Sequence, residues 1–220
     1  MKVCAAVLDI DGTLIDSNDA HAQAWVDVGK EMGYDIDFAH VRSLIGMGGD
    51  KVIPRITGLQ DDSDEAKKVK ERRGEIFRER YLPTLKPFPR ARELLERFRA
   101  DGMALVVATS ASKDDMGKLL EKAGIKDLIE EKTSQSDVDA SKPDPDVVEA
   151  AVEKAGCKPA EAVMLGDTPY DVEASRRAGV PCVALRCGGW SDEDLADAVA
   201  IYDDPADLLA NYDRSPFANV

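Results

Sequence analysis

The sequence predicts an α/β fold: a doubly wound parallel-sheet (Rossmann-like) core with an inserted small α-helical cap domain. Three observations predict it. Short apolar runs without two-residue alternation recur along the chain, as strands buried on both faces do. Segments with helical periodicity separate most of them, and Gly102, Gly124, Gly156 and Gly179 follow as helix-ending glycines. Between the first and second strands lie some seventy residues, far more than an ordinary crossover needs.

The first strand is read over Val3–Leu8, nearly all apolar and running into Asp9-Ile10-Asp11-Gly12-Thr13-Leu14. The long segment after it reads as mostly helical. Ala24, Val28 and Met32 recur at a spacing of four, Lys67–Arg80 is a highly charged helical stretch, and Pro83, Pro87 and Pro89 punctuate the return to the core. The core then continues through a helix over Arg90–Ala100, a strand over Ala104–Ala108 and a helix over Lys113–Ala123. A weaker strand-like run at Leu128–Glu131 precedes a helix over Asp144–Ala155. A strand at Ala162–Leu165, a helix at Tyr170–Ala178, a strand at Pro181–Leu185 and a weaker run at Ala198–Tyr202 complete the pattern. The expected division is a core of residues 1–15 and 86–220, with a cap of residues 16–85 placed directly after the acidic loop.

Composition narrows the function. The chain has 220 residues, 44% hydrophobic and 33% charged, enough for one α/β core and a small accessory domain. No apolar stretch could span a bilayer, and the chain enters its first strand without a signal peptide, so a cytoplasmic protein with no membrane partner is expected. Cys4, Cys157, Cys182 and Cys187 form no C-x-x-C pair and read as reduced core or loop thiols, with no zinc site. A net charge of −14 argues against nucleic acid. It leaves room for a small phosphorylated metabolite held by a metal, a lysine and backbone amides. A monomer or weak homodimer is expected.

The chemistry starts at Asp9 and Asp11. Ligands of open α/β sheets sit beyond the carboxyl ends of the strands, where both acids fall. Burying two anions there is costly unless a metal or a proton compensates. By themselves the two acids could as well cap the next helix. Three further segments join them in order: Thr109-Ser110-Ala111-Ser112 after a strand, Ser141-Lys142-Pro143-Asp144-Pro145 before a helix, and Gly166-Asp167-Thr168-Pro169-Tyr170-Asp171 after another strand.

A carboxylate such as Asp9 can serve as a nucleophile that forms an aspartyl-phosphate, later hydrolysed by water. Asp11, two residues on, can protonate the leaving oxygen and then activate that water. Burial and neighbouring anions are expected to raise its pKa for this task. At 4 Å each like-charge pair costs about 4 kcal/mol at an effective dielectric near 20, so a phosphate facing Asp9, Asp167 and Asp171 calls for a cation. Hard oxygen ligands and a phosphate favour Mg²⁺. Asp167 could also cap the helix behind it, Ser110 could be a capping serine, and a lysine before a proline is usually a solvated surface charge.

The four ordered segments resemble the haloacid dehalogenase-like hydrolase superfamily, in the branch with a helical cap after the first motif. The resemblance covers almost the whole chain. It implies Asp9 as nucleophile and Asp11 as acid and base. It implies metal ligation by the Asp9 carboxylate, the Asp11 backbone carbonyl and the Asp167 carboxylate, with Asp171 as ligand or support. Ser110 is expected to contact a phosphate oxygen, beside the backbone of Gly12, Ala111 and Ser112, and Lys142 to pair with Asp9 and the phosphate. In such proteins the cap selects the substrate, which brings forward His21 on the first cap helix and Gly46 and Gly48 in the turn Ile45–Asp50.

The expected activity is hydrolysis of a small phosphomonoester, a sugar phosphate or phosphoglycolate. Relatives acting as phosphosugar mutases hold a second phosphate with basic residues in this turn, where Leu44–Asp50 has none, although Arg42 and Lys51 flank it. A mutase is therefore the second reading. A non-catalytic phosphate-sensing domain comes last, since receivers lack the helical insertion and a signalling acyl-phosphate needs no acid two residues later.

Overall fold

A computed structural model of the chain describes residues 2–129, 131–133 and 140–218. Its centre is a six-stranded, wholly parallel sheet of β1 (Ala5–Leu8), β2 (Ala104–Ala108), β3 (Glu131–Thr133), β4 (Ala162–Gly166), β5 (Cys182–Leu185) and β6 (Ala200–Tyr202), in the order β3-β2-β1-β4-β5-β6. The missing alternation has its expected cause. Ala6, Leu8, Leu105, Val107, Val163 and Leu165 join one apolar cluster, while Ala5, Val7, Val106, Ala108, Ala162 and Met164 join another on the opposite face. Helices α5 (Ala91–Ala100), α6 (Lys113–Lys122) and α9 (Pro205–Ala210) cover the first face; α7 (Asp146–Ala155) and α8 (Pro169–Arg177) cover the second.

Strand order reverses at β1, whose neighbours are β2 on one side and β4 on the other. The carboxyl ends of β1 and β4 therefore form the topological switch point, where an α/β sheet opens a crevice. Asp9 and Asp167 are the first residues beyond these two strands, and the Asp9 amide donates to the Leu165 carbonyl at 2.9 Å.

The expected helical insertion lies between β1 and α5. It comprises α1 (Asn18–Met32), α2 (Phe38–Arg42), α3 (Gly49–Thr57) and α4 (Asp64–Ile76), the last running into a π-helical turn at Phe77–Tyr81. Ala24, Trp25, Val28, Val69, Ile76 and Phe77 form its interior, continuous with the first sheet face, while Met32 is half-buried. The outgoing and returning chains pair, Asp16 N to Lys86 O at 3.0 Å and Phe88 N to Leu14 O at 3.1 Å.

Two expectations need correction. The weak run at Leu128–Glu131 gives way to β3 at Glu131–Thr133; position 130 lies outside the described residues. Cys4 and Cys157 are not reduced thiols but form a disulfide, with Cα atoms 6.2 Å apart, whereas Cys182 and Cys187 are free. The partners are 153 positions apart, so no local spacing announces the pair. The sheet brings the start of β1 beside the link from α7 to β4, where Cys4 N also donates to Glu161 O. Cysteine usage thus no longer argues for a reducing compartment. Among the described residues no helix is long and apolar enough to cross a membrane.

Candidate active site

The switch point gathers acids. Carboxylate oxygens of Asp9, Asp167 and Asp171 lie within 4.8 Å of one another, and all three side chains are buried. Asp171 reaches them from the first turn of α8. That helix is capped by Thr168 rather than by Asp167: the Thr168 hydroxyl accepts from Asp171 N, and Asp171 Oδ2 accepts from Thr168 N at 3.0 Å and Thr168 Oγ1 at 2.7 Å. Asp171 is thereby fixed facing the cluster through Oδ1.

Among the described residues one ammonium answers these three anions. Lys142, 1% exposed, lies 2.5 Å from Asp9 Oδ1 and 2.6 Å from Asp171 Oδ1. It is therefore no solvated surface lysine. Its pKa is held above the ordinary value, because Asp171 and Asp9 outweigh the burial that opposes the charge. One cation does not neutralise three carboxylates. Burial, with Asp171 and Asp11 nearby, pushes Asp9 up to about 7 despite Lys142. Burial and the two other carboxylates likewise push Asp167 well above the usual carboxylate range. Hard oxygen donors around an uncompensated negative charge fit a divalent cation such as Mg²⁺.

The Asp167 carboxylate is aimed by groups that sequence reasoning did not single out. Thr13 Oγ1 donates to Oδ1 at 2.8 Å, and Asn18 Nδ2 donates to Oδ2 at 2.8 Å and to the Gly188 carbonyl at 3.2 Å. A Cβ on Gly188 would fall 1.8 Å from Asp167 Oδ2, so this position admits no side chain. Gly12, at φ 76°, is excluded from larger residues in the same way, with Asn18 Nδ2 only 2.1 Å from where its Cβ would stand.

Asp11 is separate from the acid cluster. Its Oδ1 accepts from Ser17 Oγ at 2.5 Å and pairs with His21 Nε2 at 2.7 Å. Burial pushes this carboxyl up, but His21, Ser17 and Arg73 together bring it below its ordinary value. The expected rise in its pKa is thus reversed, because its nearest neighbours are donors from the cap and not the other acids. On the far side of His21, the Arg73 guanidinium donates to Nδ1. A guanidinium has no acceptor, so Nδ1 carries the lone pair and Nε2 the proton given to Asp11.

A cavity of about 430 Å³ opens above these groups, between core and cap. Asp9, Asp11, His21, Gly46, Ala111 and Ser112 border it, as does Ser110. The Ser110 hydroxyl, expected on a phosphate, donates to the cap carbonyl of Gly46 at 3.0 Å, and Ser112 caps α6. Gly12 and Gly48, also expected at the substrate, are not among the residues that border it. Gly12 packs against Asn18 and Asp167, and Gly48 docks its amide on Ser141 Oγ at 3.1 Å. The flanking cations are also committed. Arg42 holds Asp19 and the Gly188 carbonyl, and Lys51 holds Asp144 and the Ser141 carbonyl.

Comparison with known proteins agrees with this geometry. Residues 6–185 match the profile of the haloacid dehalogenase-like hydrolase family. A phosphoglycolate phosphatase from Rhodospirillum rubrum is 31% identical, over 93% of this chain and 88% of its own. An N-acetylmuramic acid 6-phosphate phosphatase from Pseudomonas aeruginosa is 25% identical over 98% and 97%. The crystal structure of a hydrolase from Pseudomonas syringae superposes with a TM-score of 0.90 at 28% identity, covering 98% of this chain and all of that one. The chain belongs to the haloacid dehalogenase-like hydrolase family.

Proposed function

We propose that this hydrolase is a Mg²⁺-dependent phosphatase of small phosphomonoesters, of the sugar phosphate or phosphoglycolate type, working through an aspartyl-phosphate. The observation that carries the proposal is the buried Asp9 carboxylate. It stands at the switch point with Lys142 against it, Asp167 and Asp171 beside it, and a metabolite-sized cavity in front.

Asp9, Asp167 and Asp171 would hold the ion, which supplies positive charge for the phosphoryl oxygens and offsets their repulsion by the acids. Asp9 attacks phosphorus, the bond from phosphorus to the ester oxygen breaks, and that oxygen takes a proton from Asp11. Water, losing its proton to Asp11, then attacks the aspartyl-phosphate and releases phosphate and Asp9. Lys142 stabilises the charge that develops beside Asp9. Asp11 accepts two hydrogen bonds from Ser17 and His21, so it must leave these partners and gain a proton before the first step.

The test is phosphate release from sugar phosphates, phosphoglycolate and nucleoside monophosphates, by wild type and Asp9→Asn, each with Mg²⁺ and with EDTA. Release that requires both Mg²⁺ and Asp9 supports the reading. Isomerisation of a sugar phosphate dependent on added bisphosphate, without net phosphate release, replaces it with the mutase.

A further inference from the structure

Four cations from α4 and the turn after it border the cavity: Lys67, Lys70, Arg73 and Arg78. Three have carboxylate partners. Lys67 lies 3.6 Å from Asp64, Arg78 lies 3.1 Å from Asp115, and Lys70 pairs with Asp61. Arg73 differs. Among the described residues no carboxylate lies within ion-pair distance of it, although the chain has a net charge of −14. Its Nε is sealed from solvent without a hydrogen-bond partner.

The guanidinium is nonetheless firmly placed. Its carbon lies 5.1 Å from the Trp25 ring centroid and 5.2 Å from that of Phe77, and one of its nitrogens donates to His21. His21 in turn stacks on Phe77 at 4.0 Å. Two aromatic faces and an imidazole thus orient a planar five-donor fork without neutralising it. Burial lowers the Arg73 pKa to about 10, so the group stays charged at neutral pH. A partly buried cation kept without a counter-ion is costly. Asp115, and Asp11 across the imidazole, compensate it in part, but neither carboxylate is in contact with it.

We infer that Arg73 is the cap's anion receptor, and that the substrate is a phosphomonoester bearing a second acidic group, a carboxylate or a further phosphate, on the end remote from Asp9. This rests on the phosphatase reading and narrows it: neutral-tailed monophosphates would fill the same cavity but leave Arg73 unanswered. The fork geometry suits bidentate recognition of either anion.

The experiment compares matched pairs. For the carboxylate, 2-phosphoglycolate is set against 2-hydroxyethyl phosphate; for the second phosphate, glucose 1,6-bisphosphate against glucose 6-phosphate. The readout is the ratio of kcat/KM, anionic over neutral, in wild type, Arg73→Gln and Arg73→Lys. Gln keeps a neutral donor for His21 and removes the charge, whereas Lys keeps the charge. Wild type should prefer the anionic member of at least one pair by about 10- to 100-fold, the contribution of a charge-assisted hydrogen bond. Arg73→Gln should bring that ratio close to one, and Arg73→Lys should retain part of it. The pair that responds identifies which anion is read. A bracing role for Arg73 would slow both members alike. A ratio near one in wild type, or one unchanged in Arg73→Gln, overturns the inference.

The same pairs are titrated into Asp9→Asn protein by calorimetry, and the ratio of affinities is judged by the same criteria. Should wild type release phosphate from no compound, the phosphatase reading fails, and the binding ratio decides the role of Arg73 without it.

Discussion

Magnesium should change both the stability of this protein and its response to pH. The cause is the charge count at the switch point, where three carboxylates within 4.8 Å face one ammonium. At that distance each like-charge pair costs about 3.5 kcal/mol at an effective dielectric near 20. Asp9 responds by holding its proton up to about 7 instead of 3.8. That is three pH units at about 1.4 kcal/mol each, or about 4 kcal/mol. The sign follows from proton binding. Below pH 4 Asp9 is protonated whether the chain is folded or not. From there to about 7 the folded protein keeps a proton the unfolded chain has lost, so stability falls as pH rises, and it levels off above 7. Asp167, raised by the same burial and the same neighbours, acts in the same direction. Carboxylates with depressed pKa values, such as Asp27, Asp127 and Asp11, titrate below this window and leave it clear. A cation bound to the ionised cluster offsets the penalty through linkage, by about 2.7 kcal/mol at a hundred times its Kd. Urea unfolding at pH 5 and pH 8, in EDTA and in saturating Mg²⁺, gives the four values needed. Metal-free stability should drop by several kcal/mol from pH 5 to 8, with Mg²⁺ restoring most of it at pH 8 and little at pH 5. Metal-free stability that is flat or rising over this range would refute the reasoning, as would an equal Mg²⁺ effect in Asp167→Asn.

Three further outcomes follow from single contacts. Lys142→Met leaves Asp9 and Asp171 without their ammonium; it should cost about 3–5 kcal/mol in urea unfolding and lower kcat by about 10²- to 10³-fold. Gly188→Ala drives a methyl group into Asp167 Oδ2, so the Mg²⁺-induced rise in Tm should shrink or vanish in a protein whose far-UV circular dichroism is unchanged. Cys4→Ser opens a link spanning 153 residues and should cost up to about 5 kcal/mol on the loop-entropy estimate, seen as a lower urea midpoint with little change in phosphate release.

What the sequence made legible was what is local or periodic. The buried parallel strands announce themselves because both faces are covered, and β2 spans the expected residues, Ala104–Ala108. The edge strand β3, Glu-Lys-Thr, has no apolar residue and so no signal. Asp9 and Asp167 were legible as acids at strand ends, and the sheet delivers them side by side. Thr13, Asn18 and Gly188 were not: Thr13 and Asn18 meet Asp167 across 154 and 149 positions, and nothing in a lone Asn or Gly indicates that the fold will close on it. The Asp11 pKa failed for a related reason. Burial can be read from a strand end, but the balance is set by His21 and Arg73, which reach Asp11 from two different cap helices.

His21 and Arg73 thus join the cap to the candidate site. Two groups expected to act on the phosphate are engaged by cap atoms: Asp11 by His21, and the Ser110 hydroxyl by the Gly46 carbonyl. The chain around Gly46 holds the other loops of the candidate site as well, through Gly48 N on Ser141, Lys51 on Asp144 and Tyr170 Oη on the Ser43 carbonyl. Each such bond is worth only about 1 kcal/mol net, so the seam can part and re-form without disturbing the sheet beneath it. In the proposed reaction a phosphate entering the cavity takes Ser110 and Asp11 from these partners, and every bond it takes loosens the cap by one. In that scheme substrate entry and release of Asp11 are the same rearrangement, so a substitution in the Gly46 turn should alter kcat and KM together.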